Sequence, residues 1–170
     1  MIAFIDTEVG YQSKQAKDYG AVRDDGAVLH THSLDEFQRF LSGCEYICGH
    51  NIINFDLKYT LLKGNFVFID TLTLSPLLFP SKPYHRLVKD DKLQVDELNN
   101  PVNDAKKARD LFYDEVEAWG KLSQQRKEIR ITQLREEMVR KGLRQPEPQR
   151  TTLQPRHPQP ENEGPDIPQA

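Results

Sequence analysis

The chain is poor in cysteine and has no long apolar run. Cys44 and Cys48 are its only cysteines among 170 residues, so no disulfide framework staples it. They lie four apart in an apolar stretch and would share one face of a strand, poorly aimed to bond each other. A zinc site would need further ligands nearby. Both read as reduced core thiols, as expected of a cytoplasmic protein. No stretch is apolar enough to span a bilayer, and no basic-then-apolar leader opens the sequence, so no membrane partner is expected. Cationic excess is also lacking: 23 Lys and Arg face 26 Asp and Glu, a net charge of −3. Nucleic-acid contact would therefore have to come from a local patch. Hydrophobic residues make up only 37%, unevenly spread. Residues 1–119 hold nearly all the Val, Ile, Leu and Phe, and residues 145–170 almost none. The length suits one domain.

What is present begins with a buried strand, Ile2–Ile5, running into Asp6-Thr7-Glu8. Tyr19–Arg23 and Ala27–His32 flank Asp24-Asp25-Gly26, a tight-turn signal, and predict a hairpin. Ser33, with Glu36 three residues on, predicts a capped helix over Leu34–Leu41. Tyr46–Cys48 reads as a short strand ending at Gly49, and His50–Leu62 as a helix stopped at Lys63-Gly64. Phe66–Ile69 is a further strand, and the proline-bearing stretch Thr71–Asn100 is expected to be irregular. Ala105, Ala108, Leu111, Phe112, Val116 and Trp119 recur at helical spacing, predicting a helix from Val102 to about Trp119. Gln124–Lys141 predicts a mostly solvated helix. Beyond Gly142 the Pro- and Gln-rich composition points to disorder. Strands first, then strands alternating with helices, imply an α/β fold: a mixed sheet flanked by helices. The domains expected are a core (1–119), a helical extension (120–142) and a tail (143–170).

The chemistry lies in acids that converge. On a strand, residues i and i+2 share a side, so Asp6 and Glu8 face one point, and paired hard oxygen ligands suit Mg²⁺ or Mn²⁺. Asp104 precedes Ala108 by four and Leu111 by seven, in line with the buried stripe of its helix. The alternative, that Asp104 merely serves its helix start, stays open. Asp56 shares a helix face with apolar groups. Clustered buried carboxylates are costly without a cation.

Phe4-Ile5-Asp6-Thr7-Glu8, Gly49-His50-Asn51-Ile52-Ile53-Asn54-Phe55-Asp56 and Asn103-Asp104-Ala105 together resemble the DEDD-type, DEDDh-like 3′→5′ exonucleases of the ribonuclease H-like superfamily, over about residues 1–119. The resemblance implies a ribonuclease H-like fold. It implies that Asp6, Glu8, Asp56 and Asp104 hold two Mg²⁺ or Mn²⁺ ions for phosphodiester hydrolysis. Thr7, with Val9-Gly10, falls where the family's backbone meets the terminal nucleotide. Asn51 and Phe55 are placed to meet a base or sugar, though Phe55 reads equally as core. The family's general base, a His five before the last Asp or a Tyr four before it, is replaced by Asn99 and Asn100, and neither amide takes a proton from water. His85 is the nearest substitute, and His50 reads as a strand-end residue that supports the site or binds a nucleotide edge. Lys82, His85, Arg86, Lys89 and Lys92 form a local cationic cluster suited to a phosphate backbone.

Three functional readings follow. One is a metal-dependent exonuclease acting on single-stranded DNA or RNA 3′ ends. Another is a catalytically weakened module that binds such ends or a partner such as a helicase or polymerase. A third possibility is a domain working beside a larger DNA-processing protein.

Overall fold

Strand β1 (Ile2–Val9) is the axis on which the rest is assembled. In the computed structural model, which describes residues 1–10, 16–87 and 100–140, β1 is the centre of a five-stranded sheet. Its antiparallel neighbour is β2 (Ala16–Arg23), which pairs in turn with β3 (Val28–Thr31). Its parallel neighbour is β4 (Tyr46–Gly49), followed by β5 (Val67–Asp70). The order is β3-β2-β1-β4-β5. The hairpin turns at Gly26, whose φ of 89° is the left-handed conformation that glycine adopts without steric cost.

Alternate β1 side chains separate two cores. Ala3 and Ile5 join Tyr19, Ala21 and Ile47 under helix α1 (Leu34–Leu41), which buries Phe37 and Leu41. Ser33 caps α1 as its sequence signals, accepting from the Glu36 N–H. Phe4, on the opposite face, meets Phe112 and Tyr113 of helix α4 (Pro101–Gly120) at ring-centroid distances of 5.6 and 5.9 Å. The sheet is thus sandwiched between α1 and α4.

Three elements differ from expectation. The helix expected over His50–Leu62 shrinks to the single turn α2 (Asp56–Tyr59). Asn51 adopts a left-handed φ of 70°, and the Asp70 carboxylate accepts the Asn51 and Ile53 N–H groups at 3.0 and 3.2 Å. The stretch after Asp70, expected to be irregular, opens as helix α3 (Thr71–Leu78), because Asp70 also caps it by accepting the Leu72 N–H. On α4 the buried stripe is rotated: Val116 is 51% exposed while Glu115 is buried. Helix α5 (Gln124–Arg140) has no fully buried residue and packs on α3. Cys44 and Cys48 are buried free thiols, but Cys44 precedes β4 and shares no strand with Cys48. Burial pushes both thiols' pKa values up. Lys89, Lys92, Asn99, residues 141–142 of the expected extension and the tail (143–170) lie outside the described residues.

One glycine sets the spacing of β2 and α4. A Cβ on Gly20 would lie 2.2 Å from the Pro101 carbonyl carbon and 2.3 Å from the Val102 nitrogen. These are backbone atoms, which cannot swing aside. Gly20→Ala should therefore cost at least about 3 kcal/mol, the upper range for overpacking, read as a lower urea midpoint. An unchanged midpoint would show that α4 can lift without penalty.

Candidate metal centre

The Gly20 contact decides where the acids meet. Gly20 is the β2 partner of Asp6, so the missing side chain opens space on the sheet face to which Asp6 and Glu8 point. The α4 N-terminus fills it. Asn100 caps that end by accepting the Val102 N–H at 3.0 Å, and Pro101 occupies the first turn. Asp104 then follows, about one turn into the helix.

The result is a cluster of Asp6, Glu8 and Asp104, each half-buried, with one carboxylate oxygen from each mutually within 4.8 Å. Three anionic oxygen ligands at this spacing fit a hard divalent cation. Lys107, one turn further along α4, lies 3.5 Å from Asp104 and offsets part of the negative charge.

Asp56 is placed differently. It is 1% exposed, and its Oδ1 accepts the Thr7 hydroxyl at 2.8 Å. Thr7 points to the face opposite its neighbours Asp6 and Glu8. Asp56 is therefore moored to the same strand end but stands outside the three-acid cluster. Burial raises its pKa to about 6, against the lowering effect of the Thr7 hydrogen bond. Thr7, 2% exposed, has its side chain committed to this contact.

The other candidates surround the motif loop. Asn51 Oδ1 accepts from the Asn54 amide at 3.3 Å. Phe55 is 38% exposed and lies 5.2 Å, ring to ring, from Tyr59, so it is available for stacking. His85 Nδ1 lies 2.9 Å from Ser75 Oγ. Arg86 and Lys82 are exposed, and Lys82 Nζ stands 4.1 Å over the Phe79 ring.

His50 supports the loop. The Thr71 hydroxyl donates to the Gly49 carbonyl at 3.4 Å, so it accepts the His50 Nδ1–H at 2.9 Å. Nε2 is then the unprotonated nitrogen, buried and without a partner among the described residues. Burial lowers the His50 pKa, partly countered by Asp70 and Asp104, which keeps the ring neutral at neutral pH. The reading of the sequence missed Asp70, whose carboxylate takes three N–H groups. An acid directly before a new helical run was the available cue.

No family model and no curated protein matches the sequence. Among solved structures, Exonuclease X in complex with 5′-overhanging duplex DNA superimposes with a TM-score of 0.50 at 16% identity, covering 76% of this chain and 99% of that one. The fold resembles that of this exonuclease: a mixed five-stranded sheet flanked by helices. At that identity the likeness speaks to fold alone, and it agrees with the strand order and flanking helices described above. No helix among the described residues is long and apolar enough to cross a membrane.

Two outcomes follow from the carboxylates. If the cluster holds cations, saturating Mn²⁺ should raise the melting temperature by ligand linkage, and Asp104→Asn should remove most of the rise. A melting curve insensitive to Mn²⁺ would refute the site. Asp56 predicts the pH behaviour of the metal-free protein. Its folded pKa, about 6, lies above the ordinary 3.8, so protonation favours the fold. Its stabilising effect is complete below about pH 4 and lost as pH rises through 6. Roughly two pH units at about 1.4 kcal/mol each give a loss of order 3 kcal/mol. Asp56→Asn should flatten the stability profile between pH 4 and 7 in EDTA; parallel profiles would contradict this.

Proposed function

We propose that the protein is a metal-dependent 3′→5′ exonuclease acting on nucleic-acid 3′ ends. The observation that carries the reading is the convergence of Asp6, Glu8 and Asp104 at one edge of a ribonuclease H-like sheet. Asp56 is proposed as the fourth acid. It supports the same strand end through Thr7, and its resemblance to the family's third acid carries its assignment. Divalent cations at such a site supply a polarised water and neutralise the leaving oxygen of the phosphodiester.

The chain's own residues bind and orient. The three clustered carboxylates would hold the cation, which when bound would offset their repulsion of a terminal phosphodiester. Phe55 offers an exposed ring to a base, at a typical gain of about 1–3 kcal/mol per stacked base. Asn51, whose backbone N–H is held by Asp70, is proposed to contact the terminal nucleotide. Arg86 and Lys82 contribute cationic contacts to the phosphate backbone. His85 is proposed as the base, in the tautomer whose Nδ1–H donates to Ser75 Oγ and whose Nε2 is left to accept a proton.

A second reading, a binding module without catalysis, is favoured by one specific observation. Asn100, at one of the two positions where the family carries its base, is used as a helix cap. A 3′-labelled single strand with Mg²⁺ or Mn²⁺ separates the readings. Stepwise loss of 3′ nucleotides is expected, with Asp104→Asn at least about 10²-fold slower. His85→Ala should be slower by about 10²- to 10⁴-fold, the usual effect of losing a general base. Retained strand binding with no cleavage in either metal would replace the exonuclease by the binding module.

A further inference from the structure

Glu115 is a charge-bearing side chain for which the proposed nuclease chemistry has no use. It sits on α4 and is 2% exposed. Both carboxyl oxygens are buried and have no hydrogen-bond partner among the described residues. Leaving such a group unpaired in a protein interior costs on the order of 1–3 kcal/mol or more. Native folds keep few groups of this kind without a reason.

The surroundings suggest what would pair with it. Glu115 lines a cavity of about 280 Å³ between α3, α4 and α5, walled by Leu74, Leu78, Phe112, Trp119 and Leu134. Apart from Glu115, the walls are apolar or aromatic. One unpartnered acid in an apolar pocket with two aromatic walls is the chemistry that recognises an organic cation. An ammonium would donate a charge-assisted hydrogen bond to the carboxylate, and the apolar and aromatic walls would take the body of the ligand. Leu134 belongs to α5, a helix with no fully buried residue, so one wall comes from a helix without a buried anchor.

We propose that this cavity is a binding site for a small organic amine with an aromatic or aliphatic body, its ammonium paired with Glu115. The site is separate from the acid cluster and does not depend on the nuclease reading.

The charge state of the empty pocket gives the proposal a pH signature. Burial, then the nearby Asp70 carboxylate, push the Glu115 pKa up to about 8; Lys82, beyond α3, pulls it down, and Asp114 on its own helix adds a small rise. Cys48 on β4 feels the Glu115 charge in turn. The empty site is therefore largely protonated at neutral pH, and pairing with an ammonium releases that proton. Amine affinity should rise with pH, approaching tenfold per unit below pH 8.

The test is calorimetric titration of the full-length chain with 2-phenylethylamine and, as its neutral counterpart, 2-phenylethanol. We expect one saturable amine site, bound at least about tenfold more tightly than the alcohol at pH 8. The preference should shrink towards pH 6. Glu115→Gln, which matches the protonated acid in shape, should abolish the preference while keeping a cooperative melt. Trp119→Leu should weaken the amine several-fold with Glu115 intact. Equal affinity for amine and alcohol in the wild type, or no binding of either at millimolar concentration, would overturn the proposal. So would an amine preference that survives in a folded Glu115→Gln.

Discussion

The site depends on a single close approach between backbones. Where β2 runs past Asp6 it has no side chain, and the first turn of α4 rests directly on the strand at Gly20. An ordinary residue there would hold the helix off the sheet by the width of a methyl group. Asp104 would move with it, away from the carboxylates on β1. Two cooperating features keep the helix start at that height: the Asn100 cap and Pro101 in the first turn. The Phe4 contacts with Phe112 and Tyr113 fix the helix further along. Packing at one end and aromatic contact at the middle thus determine where a charged residue sits.

The acids of this chain meet the cost of burial in different ways. Asp6, Glu8 and Asp104 remain half-exposed and gather where a cation can neutralise them. Asp70 is buried, but its carboxylate is satisfied by three backbone N–H groups, and it orders the loop between β4 and α2 in the process. Asp56 accepts the Thr7 hydroxyl and backbone N–H groups of Thr7 and Asp56, yet burial still raises its pKa. Glu115 has no donor among the described residues and the higher pKa of the two. Of these last two, the carboxyl with donors is shifted less than the one without.

Much of this was legible from local pattern. The parity of β1 places Asp6 and Glu8 on one side, and the α4 stripe places Asp104 towards the sheet, because both arguments need only the geometry of one element. The hairpin and the α1 cap are equally local. What escaped was long-range. The truncation of the helix after His50 comes from Asp70, nineteen residues from Asn51, and the mooring of Asp56 comes from Thr7, forty-nine residues away. Helix α3 was hidden by Pro76, which lies within it. Glu115 was a local miss. It stands three residues after Phe112 and seven after Ala108, on the same stripe that placed Asp104.

The two thiols have a practical meaning. Cys48 lies within β4, the strand that joins the β1 hairpin to β5, and is fully buried. Its high pKa leaves almost no thiolate, the form that reacts with electrophiles. Cys44 sits just outside the same strand, slightly more accessible and likewise raised. Alkylation of either side chain must wait for the structure around β4 to open. The pair is a built-in clock for that opening, one reading at the strand's margin and the other at its centre, and the difference between their labelling rates would measure how far sheet separation proceeds from the end inward.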